Sequence, residues 1–138
     1  MQAKGSSAVA KYCTNKKFKY APTDSIADSI CAGAPRNLYM AFNSIVRSNG
    51  CPVIVTDNEI LSAQKYAAQN YGILIEPSSA ASLAGFIKYN NAYKGILKTP
   101  MLLFTGNGLK DTSALIKWNK KIKPLSSAIL KKKFHGKK

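Results

Sequence analysis

Carboxylates are scarce in this chain: 6 Asp and Glu stand against 21 Lys and Arg in 138 residues, a formal net charge of +15. Paired-carboxylate catalysis therefore has few candidates. Asp24 and Asp28 have the spacing of one helical face. Nothing beside them would push their pKa values apart, which an acid/base pair requires. Histidine is nearly missing. The single His135 lies among C-terminal lysines and reads as solvated, which excludes a Ser-His or Cys-His nucleophile. No cluster has metal-ligand spacing. Cys13, Cys31 and Cys51 are the only cysteines. An odd number so widely spaced forms neither a CxxC pair nor a disulfide framework. They read as small buried hydrophobes in a reducing, cytoplasmic protein. No apolar run approaches the ~20 residues that span a membrane. The first residues are small and polar, unlike the apolar core of a secretory signal.

What is present is an alternation of strand and helix signals in a length that suits one domain. Residues 1–5 look like the end of a strand whose start is missing, and Gly5-Ser6-Ser7 opens a helix carrying Ala8, Val9, Ala10 and Tyr12. Lys16, Lys17 and Lys19 alternate with Phe18 and Tyr20. That pattern suits a solvated loop with its rings turned inward, or a nucleic-acid contact. Pro35-Arg36-Asn37 then starts a helix, with Leu38, Ala41, Phe42, Ile45 and Val46 on one face and Gly50 as its C′ residue. Cys51 to Val55 is a strand, in which Pro52 can sit only at the start or on an edge. Thr56 and Glu59 match a capping box for a helix ending at Gly72. Alternation of this kind implies a parallel sheet with right-handed crossovers.

Two stretches carry the functional argument. In Ile73-Leu74-Ile75-Glu76-Pro77-Ser78-Ser79-Ala80-Ala81-Ser82-Leu83-Ala84-Gly85, three apolar residues suit a buried strand and Pro77 suits a helix's first turn. The small residues after it let another body approach the free N–H groups of that helix start. The helix is expected to run to about Tyr89, with residues 90–95 as a surface connection. In Thr99-Pro100-Met101-Leu102-Leu103-Phe104-Thr105-Gly106-Asn107-Gly108-Leu109-Lys110-Asp111, Met101 to Phe104 reads as a second buried strand. Glu76 and Thr105 would both sit at carboxyl ends of strands, where ligands gather in open α/β sheets. Asp111 caps a short helix over 112–118.

"IEPSSAASLAG" followed by "LLFTGNGLKD", with "QAKGSSAVA" and "DSIADSICAGAPRN" upstream, resembles the C-terminal part of the threonine synthases. Those are pyridoxal-phosphate enzymes built like the tryptophan synthase β subunit. Relatives acting on other phosphorylated amino acids, such as cysteate synthases, share the pattern. The resemblance covers residues 2–117. It implies an α/β, three-layer sandwich with a mostly parallel sheet, part of a tryptophan synthase β-like large domain. It implies residues 1–118 as part of the enzyme domain and 119–138 as a Lys-rich tail. Pyridoxal phosphate is the implied cofactor, and O-phosphohomoserine the implied substrate. In the family the threonine of the TG-x-GLKD motif bonds the pyridine nitrogen, here Thr105. The Glu-Pro-Ser motif lines the ring, here Glu76 and Ser79. Gly106 and Gly108 leave room for close backbone approach, and Ala27 and Asp28 border the cofactor. Lys4 departs from the acidic residue of the family's "QAEGSS" pattern. The family's Ser-Phe-Lys-Asp-Arg motif, with its cofactor-binding lysine, does not occur here, so no catalytic residue is assigned. The chain is expected to be one wall of a two-walled site, inactive without an N-terminal half and prone to self-associate. The alternatives are a basic module binding nucleic acid or other anions through its lysines, and a degenerate, noncatalytic paralogue.

Overall fold

The computed structural model describes residues 1–93, 99–119 and 126–127. Its sheet is one parallel pair, β1 (Gln2–Ala3) beside β2 (Ile54–Val55), in the register Gln2 to Ile54 and Ala3 to Val55. The pairing agrees with the parallel sheet implied by strand-helix alternation. Ala3 and Val55 are fully buried at the centre of the core.

Among the described residues the α-helices are, in chain order, α1 (Ala8–Asn15), α2 (Leu38–Arg47), α3 (Asp57–Tyr71), α4 (Pro77–Tyr93) and α5 (Thr112–Trp118). α3 begins as its sequence requires. The Glu59 N–H donates to Thr56 Oγ1 at 3.2 Å, and the Thr56 N–H donates to Glu59 Oε2 at 2.6 Å, so the two orphan donors are satisfied reciprocally. It stops at Gly72, whose φ of 66° is left-handed, a conformation that costs glycine nothing. Ile60, Ala63 and Ala67 of α3 pack against Ala80, Ala81 and Ala84 of α4. Alanine against alanine lets the two helices approach closely, which brings the start of α4 into the core.

Several expectations need correction. α4 runs to Tyr93, so residues 90–93 are helical rather than a connection; Asn90 and Asn91 lie on its last turn. The left-handed residue after α2 is Asn49 (φ 52°), not Gly50, because asparagine also tolerates that conformation. Asp24 and Asp28 do not share a helix; only Asp28–Ile30 forms a 3₁₀ turn. Ile73–Ile75 makes a single antiparallel bridge, Ile75 to Asn107, and Met101–Phe104 forms no strand. The cysteines are not buried: Cys51 is exposed, Cys13 and Cys31 half-buried. Burial nevertheless pushes the Cys31 thiol up, and the Asp28 charge pushes it further. Phe18 and Tyr20 are not turned inward; they are 43% and 66% exposed. Nearly all of the Lys-rich tail lies outside the described residues. Among the described residues no helix is long and apolar enough to cross a membrane.

Candidate functional site

The joint between Ile75 and α4 meets the segment running from Leu103 to Lys110. Gly106 accepts at its carbonyl from the Glu76 N–H at 3.0 Å, and the Gly108 N–H donates to the Leu74 carbonyl at 3.0 Å. These two bonds flank the Ile75–Asn107 bridge. Side chains of α4 complete the attachment. Ser79 Oγ accepts from the N–H groups of Thr105 and Gly106, each at 3.0 Å. Ser82 Oγ donates to the Leu103 carbonyl at 3.2 Å. Residues 76, 79 and 82 recur every three positions and so share one face of the helix.

Both glycines are dictated by this closeness. A Cβ on Gly106 would collide with the Glu76 carboxyl, and one on Gly108 would lie 2.7 Å from Leu74 Cγ. No side chain at either position fits without displacing its neighbour. Glu76 is buried; its carboxylate meets Lys110 Nζ at 3.2 Å, while Lys110 itself stays largely in solvent. Lys110 Nζ also donates to Ser29 Oγ at 3.2 Å. A cleft of about 150 Å³ opens here, with Ile26, Asp28 and Ser29 on one side and Glu76, Ser78 and Lys110 on the other.

The structure thus gathers Glu76, Ser79, Thr105, Gly106 and Gly108 within one hydrogen-bonded joint. Thr105 is exposed. Its hydroxyl makes no hydrogen bond among the described residues, so it does not cap a neighbouring backbone group. Ala27 is set apart from the joint: it is fully buried in the core, between Ile26 and Asp28 of the cleft wall. The 25–27 loop is held by α3, since Asp57 accepts from Ser25 Oγ at 2.6 Å and from the Ile26 N–H at 3.2 Å. Lys110, Ser82 and Asp57 were not singled out from the sequence. Lys110 was signalled by its place in the GLKD motif; Ser82 and Asp57 carried no local signal. Among the described residues no group of His, Cys, Asp or Glu could hold a metal ion.

Comparison with known proteins places this geometry. A threonine synthase of Methanocaldococcus jannaschii is 40% identical over 101 residues, 71% of this chain and 24% of the relative. One from Methanosarcina acetivorans is 37% identical over 120 residues, 84% of this chain and 30% of the relative. One from Mycobacterium leprae is 34% identical over 103 residues, 74% of this chain and 29% of the relative. The chain therefore spans less than a third of the length of these relatives. Among solved structures, maize serine racemase superposes with a TM-score of 0.55 at 22% identity, over 67% of this chain and 29% of that one. That likeness concerns the fold, the α/β architecture of the tryptophan synthase β type. Residues 1–106 match the family described as "Pyridoxal-phosphate dependent enzyme". With three quarters of its residues in that match, and the Glu-Pro-Ser and Thr-Gly motifs joined in space, this chain belongs to the pyridoxal-phosphate dependent enzymes.

Proposed function

We propose that this chain is the C-terminal part of a threonine synthase, which converts O-phosphohomoserine and water to threonine and phosphate. Residues 1–118 supply one wall of the site, and 119–138 form an appended basic tail. The observation that carries the reading is the exposed Thr105 hydroxyl, without a hydrogen bond among the described residues and mounted on backbone that Ser79 and Glu76 hold at three points. The four threonine-synthase-like motifs and the curated relatives support the choice of reaction.

Pyridoxal phosphate, when bound, supplies an electron sink for the substrate's carbons. The residues present fit its ring-nitrogen side. A hydroxyl is a neutral donor to an unprotonated pyridine nitrogen. A carboxylate at 105 would instead hold that nitrogen protonated. Thr105 would thus leave a bound ring neutral, which suits elimination and replacement over transamination. Gly106 keeps the adjacent backbone low, because the Glu76 carboxyl already occupies the space of its missing side chain. Lys110 neutralises that carboxylate, so a buried negative charge does not stand beside the ring uncompensated. The family's covalent-lysine motif and phosphate-holding loop have no counterpart in residues 1–138, so these residues alone do not turn over substrate.

Two measurements test the reading. Incubation with pyridoxal phosphate, borohydride reduction and mapping should label surface lysines at random; one stoichiometrically labelled lysine would overturn the claim of a partial site. In the chain joined to its complementary segment, Thr105→Val should weaken cofactor binding or slow turnover. Thr105→Asp should raise the ring-nitrogen pKa in nitrogen NMR of labelled cofactor. If both variants match the parent in affinity, turnover and ring protonation, Thr105 is structural and the assignment fails.

A second reading has its own observation. Phe18 and Tyr20 are exposed between lysines in a chain of net charge +15, the pattern of stacking platforms for single-stranded nucleic acid. Binding would then weaken by a log–log salt slope of about −0.7 per phosphate contacted. A flat salt response, or no binding at low salt, removes it.

A further inference from the structure

The function proposed above turns on where the Thr105 hydroxyl points, yet its own neighbourhood in the sequence does little to fix it. Thr105 lies outside any helix or strand, between exposed Phe104 and Gly106. Its backbone geometry is set from α4. Ser79 Oγ accepts from the Thr105 N–H and the Gly106 N–H, each at 3.0 Å, and donates to the Gly106 carbonyl at a longer 3.5 Å. A serine hydroxyl has one donor and two acceptor lone pairs, and here all three are engaged. Ser79 is 2% exposed, so water does not compete for them. Nothing is left on this hydroxyl for a ligand.

We propose that Ser79 is a positioning residue. It holds the two successive N–H groups of Thr105 and Gly106 in one geometry and so aims the Thr105 hydroxyl, without itself touching the cofactor. The aiming claim rests on the reading of Thr105 as the ring-nitrogen donor; the clamp stands on its own geometry. Two further bonds make it a clamp rather than a single contact. The Glu76 N–H donates to the Gly106 carbonyl at 3.0 Å, one turn before Ser79. Ser82, one turn after, shares its one hydroxyl proton between the Ser79 carbonyl at 2.7 Å and the Leu103 carbonyl at 3.2 Å. The peptide that carries Thr105 is thus tied on both sides and at both ends. Alanine at 79 would leave two N–H groups without their acceptor at a point where the chain has no ladder of its own.

Amide hydrogen exchange followed by NMR on the 138-residue chain tests the clamp without any variant. The Thr105 and Gly106 amides should exchange at least tenfold more slowly than that of Asn107, whose N–H has no acceptor among the described residues. If all three exchange alike, the proposal is overturned. In Ser79→Ala the two protected amides should rise to the Asn107 rate while the Ile60 amide, within α3, keeps its parent rate. Ser79→Thr retains the oxygen and should retain the protection. Pyridoxal phosphate titration of the chain joined to its complementary segment, read by absorbance, tests the aim: Ser79→Ala should weaken binding about tenfold and Ser79→Thr restore it, whereas Thr105→Val weakens binding with both amides still protected. If the parent binds the cofactor and Ser79→Ala binds it equally well with both amides released, the aiming claim is overturned. If the parent binds no cofactor, the Thr105 reading has failed, and the exchange rates alone decide whether Ser79 is the clamp.

Discussion

α3 and the segment 101–108 are built on opposite terms. α3 carries its instructions inside itself. Its cap, its left-handed stop and its buried stripe of Ile60, Ala63 and Ala67 all fall between Thr56 and Gly72. The segment 101–104 is more apolar residue for residue, yet Met101 is 87% and Leu103 70% exposed. Leu103 is reached by Ser82, and the following Thr105 and Gly106 are held by Ser79 and the Glu76 backbone. Apolar character alone does not bury a stretch; a facing surface must exist. Where both partners of a hydrogen bond lie in one short segment, the fold is local, and where one lies on a distant helix, it is not.

The sharpest test of this contrast is a pair of truncations. Ile60→Ala, at a fully buried position of α3, should cost about 2–5 kcal/mol in denaturant unfolding. Leu103→Ala should stay within about 0.5 kcal/mol; equal losses would mean that residues 101–104 pack as a core strand after all. The next effect concerns Gln64, the fully buried polar residue that ties α3 to Ile75 and to α5. Its Nε2 donates to the Ile75 carbonyl and its Oε1 accepts from Trp118 Nε1, both at 2.8 Å. Gln64→Leu strands both partners and should cost about 1–3 kcal/mol. Trp fluorescence should shift with it, because α5 loses its anchor. An unshifted spectrum would show that α5 is held otherwise.

A smaller loss is expected at the cap itself. Thr56→Ala removes the acceptor of the Glu59 N–H and should cost about 1 kcal/mol, with helix content falling in α3 alone. Loss of exchange protection at Thr105 in the same variant would break the claim that the two regions are fixed independently. The smallest effect is pH-dependent. The Thr56 N–H holds the Glu59 carboxyl below its usual range, and Lys88, 3.1 Å away, adds to this. A carboxyl depressed on folding contributes stability that is complete above its unfolded pKa and is lost as pH falls through the folded value. Glu59→Gln should therefore lose a little stability at neutral pH and none at acid pH, which flattens the acid limb of the stability curve below the ordinary carboxylate pKa of about 4.3. An acid limb identical to the parent's would remove Glu59 from that account.

Much of the architecture was legible because its causes are short-range. Thr56 and Glu59 announce a helix three residues apart, Gly72 ends it, and Asp111 accepts from the Ala114 N–H to start α5. Glu76-Pro77-Ser78-Ser79 marks the start of α4 by proline's fixed φ and missing N–H. The misreadings share one cause. Ile73–Ile75 and Met101–Phe104 have strand composition, but strand formation needs a neighbour offering a ladder, which composition does not report. Phe18 and Tyr20 were expected inside because they are aromatic; nothing in their own stretch says which surface faces them.

The candidate site divides the same way. Motif resemblance named Glu76, Ser79, Thr105, Gly106, Gly108 and Ala27, and the chain's own order of residues explains why Gly and Ser stand where backbone comes close. That Ser79 bonds the backbone of Thr105 and Gly106, that Glu76 fills the space beside Gly106, and that Lys110 crosses to Ser29 are contacts between residues far apart in sequence. Sequence by itself determined the elements whose hydrogen bonds close within a turn or two, and the chemical groups available to the site. Only the tertiary structure decided which of those groups meet, because a contact across 26 or 81 residues depends on how α3 and α4 pack, and no local pattern encodes that distance.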